Sequence, residues 1–476
     1  MHDILKISPV TRIEGHLDVE VHVDAVGGGL QVVDAKCAGT SFRGFETILQ
    51  GRDPRDATHY TQRVCGVCPV SHGMASSMAL ENAFGVAPTD NGRISRNLVL
   101  AANFIQSHVL HFYHLVAPDY IDTNALEMSP WNGTYKSPDM ITGAVAQELI
   151  GHYVQALTMR RKAHQMGAIL GGRLPDPANF VPGGSTQLIR AADVTAFRVL
   201  LAEIRAFIDN VYIPDVLAIA GLFPAYKQIG QGCGNLIAYG VFDENAAGST
   251  KLLARGRYTN GQLGTVDNTL IREYVMHSWF TPECTNLPPS AGVTIPAVDK
   301  VDAYSFIKAP RYQQVVHEAG PLARMWVNGD YRDGISVVDR IAARALETKK
   351  IADAMDGWLN QLVPGAAVYT HRATPATGTG VGLTEAPRGA LGHWMAIANS
   401  RISRYQIITP TGWNASPMDD AGQHGAIEQA LIGTPVADLA TPVEVLRVIR
   451  SFDPCLACAV HMVRPGDKAR RITVEI

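Results

Sequence analysis

From residue 17 the chain alternates: Leu17, Val19, Val21 and Val23 are apolar, and Asp18, Glu20, His22 and Asp24 between them are polar. A period of two is the mark of a strand with one buried face. Gly27, Gly28 and Gly29 supply a turn, and residues 30–35 (LQVVDA) read as the returning strand of a hairpin. From Gly73 onward the pattern becomes helical, over residues 74–85, 94–118, 145–172, 191–221, 336–365 and 441–452. Several of these are long enough to form the core of a helical bundle. Between them lie proline- and glycine-rich loops such as residues 175–186, and a long irregular stretch from Ala373 to Gly425 with one strand-like piece at 404–409. No repeat, low-complexity tract or linker divides the chain. The expected fold class is therefore α+β, mainly α with small β elements, in a single interwoven unit.

Composition narrows the function. With 476 residues, 46% of them hydrophobic, a large core is available. A net charge of −3 argues against a nucleic-acid binder, which carries a basic face. The charged fraction, 18%, lies below the roughly 25% usual for soluble domains, as expected where surface is covered by a partner. The most apolar region, Leu98 to Ala117, is broken by Asn103, Gln106 and three histidines. It falls short of the roughly 20 uninterrupted apolar residues of a membrane span. The start, MHDILKISPV, lacks the basic end, apolar run and cleavage site of a secretory signal, so export would have to be arranged by something else.

Seven cysteines are too few for a disulfide scaffold in a chain of this length. Their placement says more: Cys65 and Cys68 form one CxxC pair, Cys455 and Cys458 a second, and Cys37, Cys233 and Cys284 are scattered. Two such pairs make a tetrathiolate metal site. Cys65 and Cys68 stand just before an apparent helix, whose N-terminal dipole favours thiolates. Structural zinc is the usual reading, but its pairs lie close together and replace a missing core. Here the core is large and the pairs are far apart, which raises the odds of a catalytic metal.

The residues around the pairs go further. Arg63-Val-Cys65-Gly-Val-Cys68-Pro-Val-Ser-His72 and Asp453-Pro-Cys455-Leu-Ala-Cys458-Ala-Val-His461 resemble the signatures of the large subunit of nickel-iron hydrogenases. Further segments, in family order, are Arg12-Ile-Glu14-Gly-His16, Arg43-Gly-Phe-Glu46, Gly51-Arg-Asp-Pro, Pro310-Arg-Tyr, Gly320-Pro-Leu-Ala-Arg324 and Glu385-Ala-Pro387-Arg388-Gly-Ala. The resemblance covers essentially the whole chain.

The resemblance implies a Ni-Fe centre with CN and CO ligands on the iron and heterolytic cleavage of hydrogen. Nickel would be held by Cys65, Cys68, Cys455 and Cys458, with Cys68 and Cys458 bridging to iron; soft thiolates suit such a metal. Glu14 would relay the proton from Cys455. Arg388 would stand above the open metal positions, paired with Asp453; too weak an acid to be an easy base, it positions and polarises. His72 would hydrogen-bond the Cys68 sulfur, Thr411 would give a hydroxyl to a cyanide, and Pro387 would shape the wall. Glu46, a carbonyl near Ile407 and His461 would bind Mg2+ (or Fe2+) near the mature C-terminus, as a hard cation with few protein ligands allows. The plain alternatives are Glu14 paired with Arg12 and Glu46 paired with Arg43.

The mature chain would be residues 1–461, with 462–476 removed by a maturation protease after nickel-insertion factors have acted. The three remaining cysteines are scattered and cannot hold an iron-sulfur cluster. An iron-sulfur small subunit is thus an obligate partner, with a membrane cytochrome or other acceptor beyond it. The location implied is membrane-associated or periplasmic via that subunit, with cytoplasmic relatives as the alternative. Two departures stand out: Ser107 where many relatives have Asp, and Asp176 where many have histidine. The other functions to weigh are a hydrogen-sensing regulatory subunit and a complex I-related quinone-site subunit.

Several features are decoys. His108, His111 and His114 step by three, which turns the outer two apart on a helix. Gly230-Gln-Gly232-Cys-Gly234 and Gly378-Thr-Gly380-Val-Gly382 are not GxGxxG after a strand, so no nucleotide cofactor is expected. His317-Glu318 is not HExxH. Cys37, Cys233 and Cys284 are read as buried small hydrophobes.

Overall fold

Alternation builds the N-terminal sheet. A computed structural model describes residues 3–8, 10, 12, 15–122 and 137–456. In it β1 (Asp3–Ile7), β2 (Leu17–Val26) and β3 (Gly29–Gly39) pair antiparallel in that order. Leu17, Val19, Val21 and Val23 are all buried, and Gly27 and Gly28 turn the chain at φ 62° and 91°. The hairpin agrees with the pattern, but β3 runs beyond residue 35 to Gly39. β1 carries no readable alternation because three of its five residues are exposed.

Among the described residues eight helices of eight residues or more follow: α1 (Pro69–Phe84), α2 (Asp90–Leu110), α3 (Gly143–Gly171), α4 (Ala191–Phe207), α5 (Ile213–Leu222), α6 (Pro321–Asn328), α7 (Val337–Gln361) and α8 (Val443–Ser451). α2 is buried from Asn91 to Leu110, with α3 and α7 packed against it. A helix enclosed on all sides is the axis of a bundle. Its start is fixed by Thr89, whose hydroxyl accepts the Gly92 N–H at 3.1 Å, a helix cap. Beyond Leu110 it widens into a π turn, His111–Val116. The three histidines there go separate ways, as expected: His108 to Glu347 at 2.8 Å, His111 to the Arg450 carbonyl at 2.7 Å and His114 to the Tyr153 hydroxyl at 3.2 Å.

The stretch from Ala373 to Gly425 is not irregular. It holds three antiparallel strands, β4 (Thr377–Ala386), β5 (Gly389–Ala398) and β6 (Arg401–Ile408). Hydrophobic alternation fails to announce β4 because one of its faces is glycine. A Cβ at Gly380 or Gly382 would stand 1.9 Å from the carbonyl of Ala79 or Ala75, so the strand lies directly on the backbone of α1. The glycine-rich decoy is thus a packing surface. β5 is buried at nine of its ten positions if the half-buried Ala396 is counted, which also erases alternation. Helix makes up 43% of the structure and strand 22%, so the α+β class holds with a larger β share than expected. Among the described residues no helix is long and apolar enough to cross a membrane.

Candidate metal centre

Cys65 and Cys455 come from opposite ends of the chain, and their sulfurs lie 3.4 Å apart. The loop before α1 explains the first side. Cys68 is the N-cap of α1 with Pro69 following, and Cys65 Sγ accepts the N–H groups of Val67 at 3.3 Å and Cys68 at 3.1 Å. Two backbone donors thus hold this sulfur in one position. Asn103 and Gln106 of α2 donate to the Val67 carbonyl at 3.1 and 3.3 Å and so hold the loop. On the other side α8 delivers Cys455, whose N–H donates to Thr411 Oγ1 at 3.2 Å. Thr411 therefore accepts from the metal loop, a contact the sequence does not disclose. Cys65, Cys68 and Cys455 are each 1% exposed. Three enclosed sulfurs with no disulfide among them fit a soft metal. Among the described residues no group of three or more His, Cys, Asp or Glu closes a metal site alone. Cys458, the fourth expected thiol, lies outside the described residues, as do Glu14 and His461.

Arg388 stands at the tip of the β4–β5 hairpin, 2% exposed, and pairs with Asp453 at 3.0 Å. Ser107 Oγ is 3.4 Å from its Nη1. Burial opposes its charge, but Asp453 and then the sulfurs of Cys455, Cys68 and Cys65 hold the proton more firmly than usual. Asp453 takes a left-handed φ of 60°, which aims its buried carboxylate inward. Pro387 is the neighbour of Arg388 on the tip.

His72 is placed differently from expectation in one respect. Its Nδ1 bonds His393 Nε2 at 3.1 Å, and His393 Nδ1 bonds the Tyr405 hydroxyl at 2.8 Å. Nε2 of His72 has no hydrogen-bond partner among the described residues, the Cys68 sulfur included. Burial, then the Arg43 charge, push His72 down to about 3, so the ring is neutral.

Glu46 touches Ile407 through its backbone N–H and not through a carbonyl: the Ile407 N–H donates to Glu46 Oε1 at 2.9 Å, and the Thr294 hydroxyl donates to the other oxygen. Arg43 instead donates to the Val64 carbonyl at 3.2 Å and covers the Phe45 ring. Arg12 donates to Asp119 at 2.7 Å and to the Leu115 carbonyl; Glu14, the partner the plain alternative would give it, lies outside the described residues. Beside Glu46 is a cavity of about 100 Å3 that Glu273, Thr294 and Lys308 also line. Burial pushes Glu273 up to about 7, with the Lys308 charge opposing and Glu46 adding to the rise. The two carboxylates at this cavity bring together oxygens of the kind a hard cation takes, with Arg43 and Lys308 also on its wall. Glu273, His393 and Asn103 give no sequence signal, because their partners are distant in the chain.

Of the scattered cysteines, Cys37 and Cys284 are buried as expected. Cys233 is only half-buried, since its loop turns at the positive-φ glycines 230, 232 and 234. Asp176 forms an ion pair with Arg63, two residues before Cys65.

The profile of nickel-dependent hydrogenases matches residues 43–137, 125–334 and 327–461, and a HoxL-like profile matches 4–38. The chain is 43% identical to the periplasmic [NiFeSe] hydrogenase large subunit of Desulfomicrobium baculatum, over 96% of this chain and 95% of that one. It is 33% identical to the uptake hydrogenase large subunit of Rhizobium leguminosarum bv. viciae, over 98% and 97%. The solved Ni-Fe-Se hydrogenase of D. vulgaris Hildenborough, as isolated and oxidised, matches with a TM-score of 0.93 and 41% identity, over 97% of this chain and 100% of that one. The chain belongs to the nickel-dependent hydrogenase family. It is the catalytic large subunit of a nickel-iron hydrogenase, an oxidoreductase acting on hydrogen, and the sensor and quinone-site readings find no support. Family membership implies a nickel-iron centre, and large subunits of this kind pair with a small subunit. Two of these relatives' names, those of the Desulfomicrobium baculatum and D. vulgaris proteins, carry selenium, whereas this chain has cysteine at all four positions of its two CxxC pairs.

Proposed function

We propose that hydrogen is split and formed at a nickel-iron centre held by Cys65, Cys68, Cys455 and Cys458, the iron carrying cyanide and carbon monoxide. The observation that carries this is the 3.4 Å approach of the Cys65 and Cys455 sulfurs. When bound, the centre supplies the site where hydrogen is polarised and its electrons are taken up.

The protein's own groups do the rest. The Cys455 sulfur receives the proton, and the Glu14 carboxylate passes it outward. Arg388, held by Asp453, presents a fixed positive charge that polarises the substrate from above, the arrangement by which preorganised donors act. Thr411 holds the backbone of Cys455, and the unpartnered Nε2 of His72 is available to the Cys68 sulfur. Glu46, a carbonyl near Ile407 and His461 bind Mg2+, with the cavity beside Glu46, where the Glu273 carboxylate also stands, in support.

Electrons leave through the clusters of an iron-sulfur small subunit, since Cys37, Cys233 and Cys284 stand apart. The periplasmic and uptake relatives support a periplasmic, membrane-associated enzyme carried there by that subunit and feeding a cytochrome or similar acceptor. Nickel-insertion factors and a protease that removes residues 462–476 complete it; the family profile ends at 461, which supports this.

The test is metal analysis of the copurified pair with hydrogen-dependent dye reduction. Nickel and activity together are expected; zinc alone overturns the assignment. Glu14→Gln is expected to keep nickel bound while turnover falls steeply, and full turnover in that variant removes Glu14 from the relay.

A further inference from the structure

Between Ala386 and Gly389, which pair across the hairpin, only Pro387 and Arg388 remain as the turn. A hairpin tip has no ladder beyond it, so its carbonyls must find other donors. Two of them, Ala386 O and Pro387 O, accept from one side chain, Arg324, through Nη1 at 3.0 Å and Nη2 at 2.9 Å. The rest of that guanidinium is spent on two carboxylates. Nε and Nη2 donate to Glu347 at 2.6 and 2.7 Å, and Nη1 donates to Glu385 at 2.7 Å. Every N–H of the guanidinium fork thus has an acceptor.

We propose that Arg324 is a positioning residue for hydrogen turnover: it fixes the backbone of the hairpin tip and with it the height of Arg388 over the thiols. The proposal rests on the role given to Arg388 above. Arg324 and Glu347 are both fully buried, where charge-assisted bonds are strong and directional. Glu347 is held from its far side by His108 Nε2 at 2.8 Å. His108 follows Ser107, the residue that touches Arg388 from α2. The hairpin tip is also pressed against the element that carries the clamp. A Cβ at Gly389 (φ 137°) would lie 2.7 Å from Ala319 Cβ and 2.8 Å from the nitrogen of Gly320, the N-cap of α6. Arg324 therefore pulls the tip onto a surface that stops it. Lysine has three donors on a single nitrogen and cannot span two carboxylates and two carbonyls.

The experiment uses Arg324→Lys in the full chain with its partner subunit. Deuterium exchange of the peptide containing residues 386–391 is expected to quicken about tenfold, with exchange in α6 and α7 and nickel content at wild-type levels. The kcat for hydrogen-dependent dye reduction is expected to fall roughly ten- to hundredfold with KM for hydrogen little changed, as for a misplaced group. Combined with Arg388→Lys, it is expected to add no further loss. Wild-type exchange and kcat, or losses that multiply in the double variant, overturn the proposal. Should Arg324→Lys fail to accumulate, Glu347→Gln is expected to move both readouts in the same direction by about threefold, and no change there overturns it equally. An Arg388→Lys variant with intact kcat removes the role of Arg388 instead, and exchange at the tip then judges the clamp alone.

Discussion

A side-chain carbon on Gly382 would lie 1.9 Å from the carbonyl oxygen of Ala75. The helix whose N-cap is Cys68 therefore rests its backbone on β4 with nothing between. Gly382→Ala must push the two apart, and overpacking of this kind costs about 1–3 kcal/mol or more. The expected result is a lower melting temperature and reduced nickel content. Thr379→Ala, on the exposed face of the same strand, is the control and is expected to change neither.

Among the described residues Arg388 has one carboxylate partner, Asp453 at 3.0 Å, and a weak contact to Ser107 at 3.4 Å. Ser107→Asp brings a second carboxylate to the same guanidinium and draws its charge away from the substrate. Hydrogen oxidation is expected to fall about threefold or more relative to proton reduction, whereas Ser107→Ala changes either by less than about twofold. Dye-linked rates in both directions check this, and an unaltered ratio in Ser107→Asp counts against Arg388 as the polarising group.

Burial drives His108 and His317 down from 6.5 to about 4, so both are neutral when folded. As pH falls from 6.5 toward 4, the unfolded chain gains protons that the folded chain refuses. Stability drops over that window, at about 1.4 kcal/mol per pH unit for each histidine. Glu385 runs the other way: burial raises it to about 7 against the pull of Arg324. Its contribution is present below about 4.5 and is lost as pH rises through about 7. Denaturant titrations from about pH 4 to 8 should show an acid limb that His317→Asn makes shallower by one histidine's share. An unchanged slope contradicts a neutral buried His317.

Intact mass measures the tail. Active enzyme is expected to carry a large subunit ending at His461, with the 476-residue form confined to inactive, nickel-poor material. Activity in a chain still ending at Ile476 removes the maturation step.

The helices were readable because a buried stripe repeats at the helical period; α1 to α5, α7 and α8 each overlap a segment the pattern marks, though α1, α2 and α3 begin two to five residues before it and α5 ends one residue after it. β4 and β5 were not, since glycine on one face and burial on both leave no alternation. The thiols could be read in pairs, each pair being local. Arg324 lay in a recognised family segment, yet its five bonds go to residues 23 to 63 positions away, and only the folded chain shows them together. His393 is the same case: its partner His72 is 321 positions off.

The meeting of Cys65 with Cys455 also has a bearing on the order of synthesis. Half of the thiols leave the ribosome with the first 68 residues, and the others only when nearly the whole polypeptide has been made. On the proposed ligand set, no nascent chain shorter than about 455 residues can hold nickel from both sides. Loading is thus a post-translational event, and a cell that makes this protein must keep an almost finished, metal-free cup soluble and unoccupied by competing ions until the last thiols arrive.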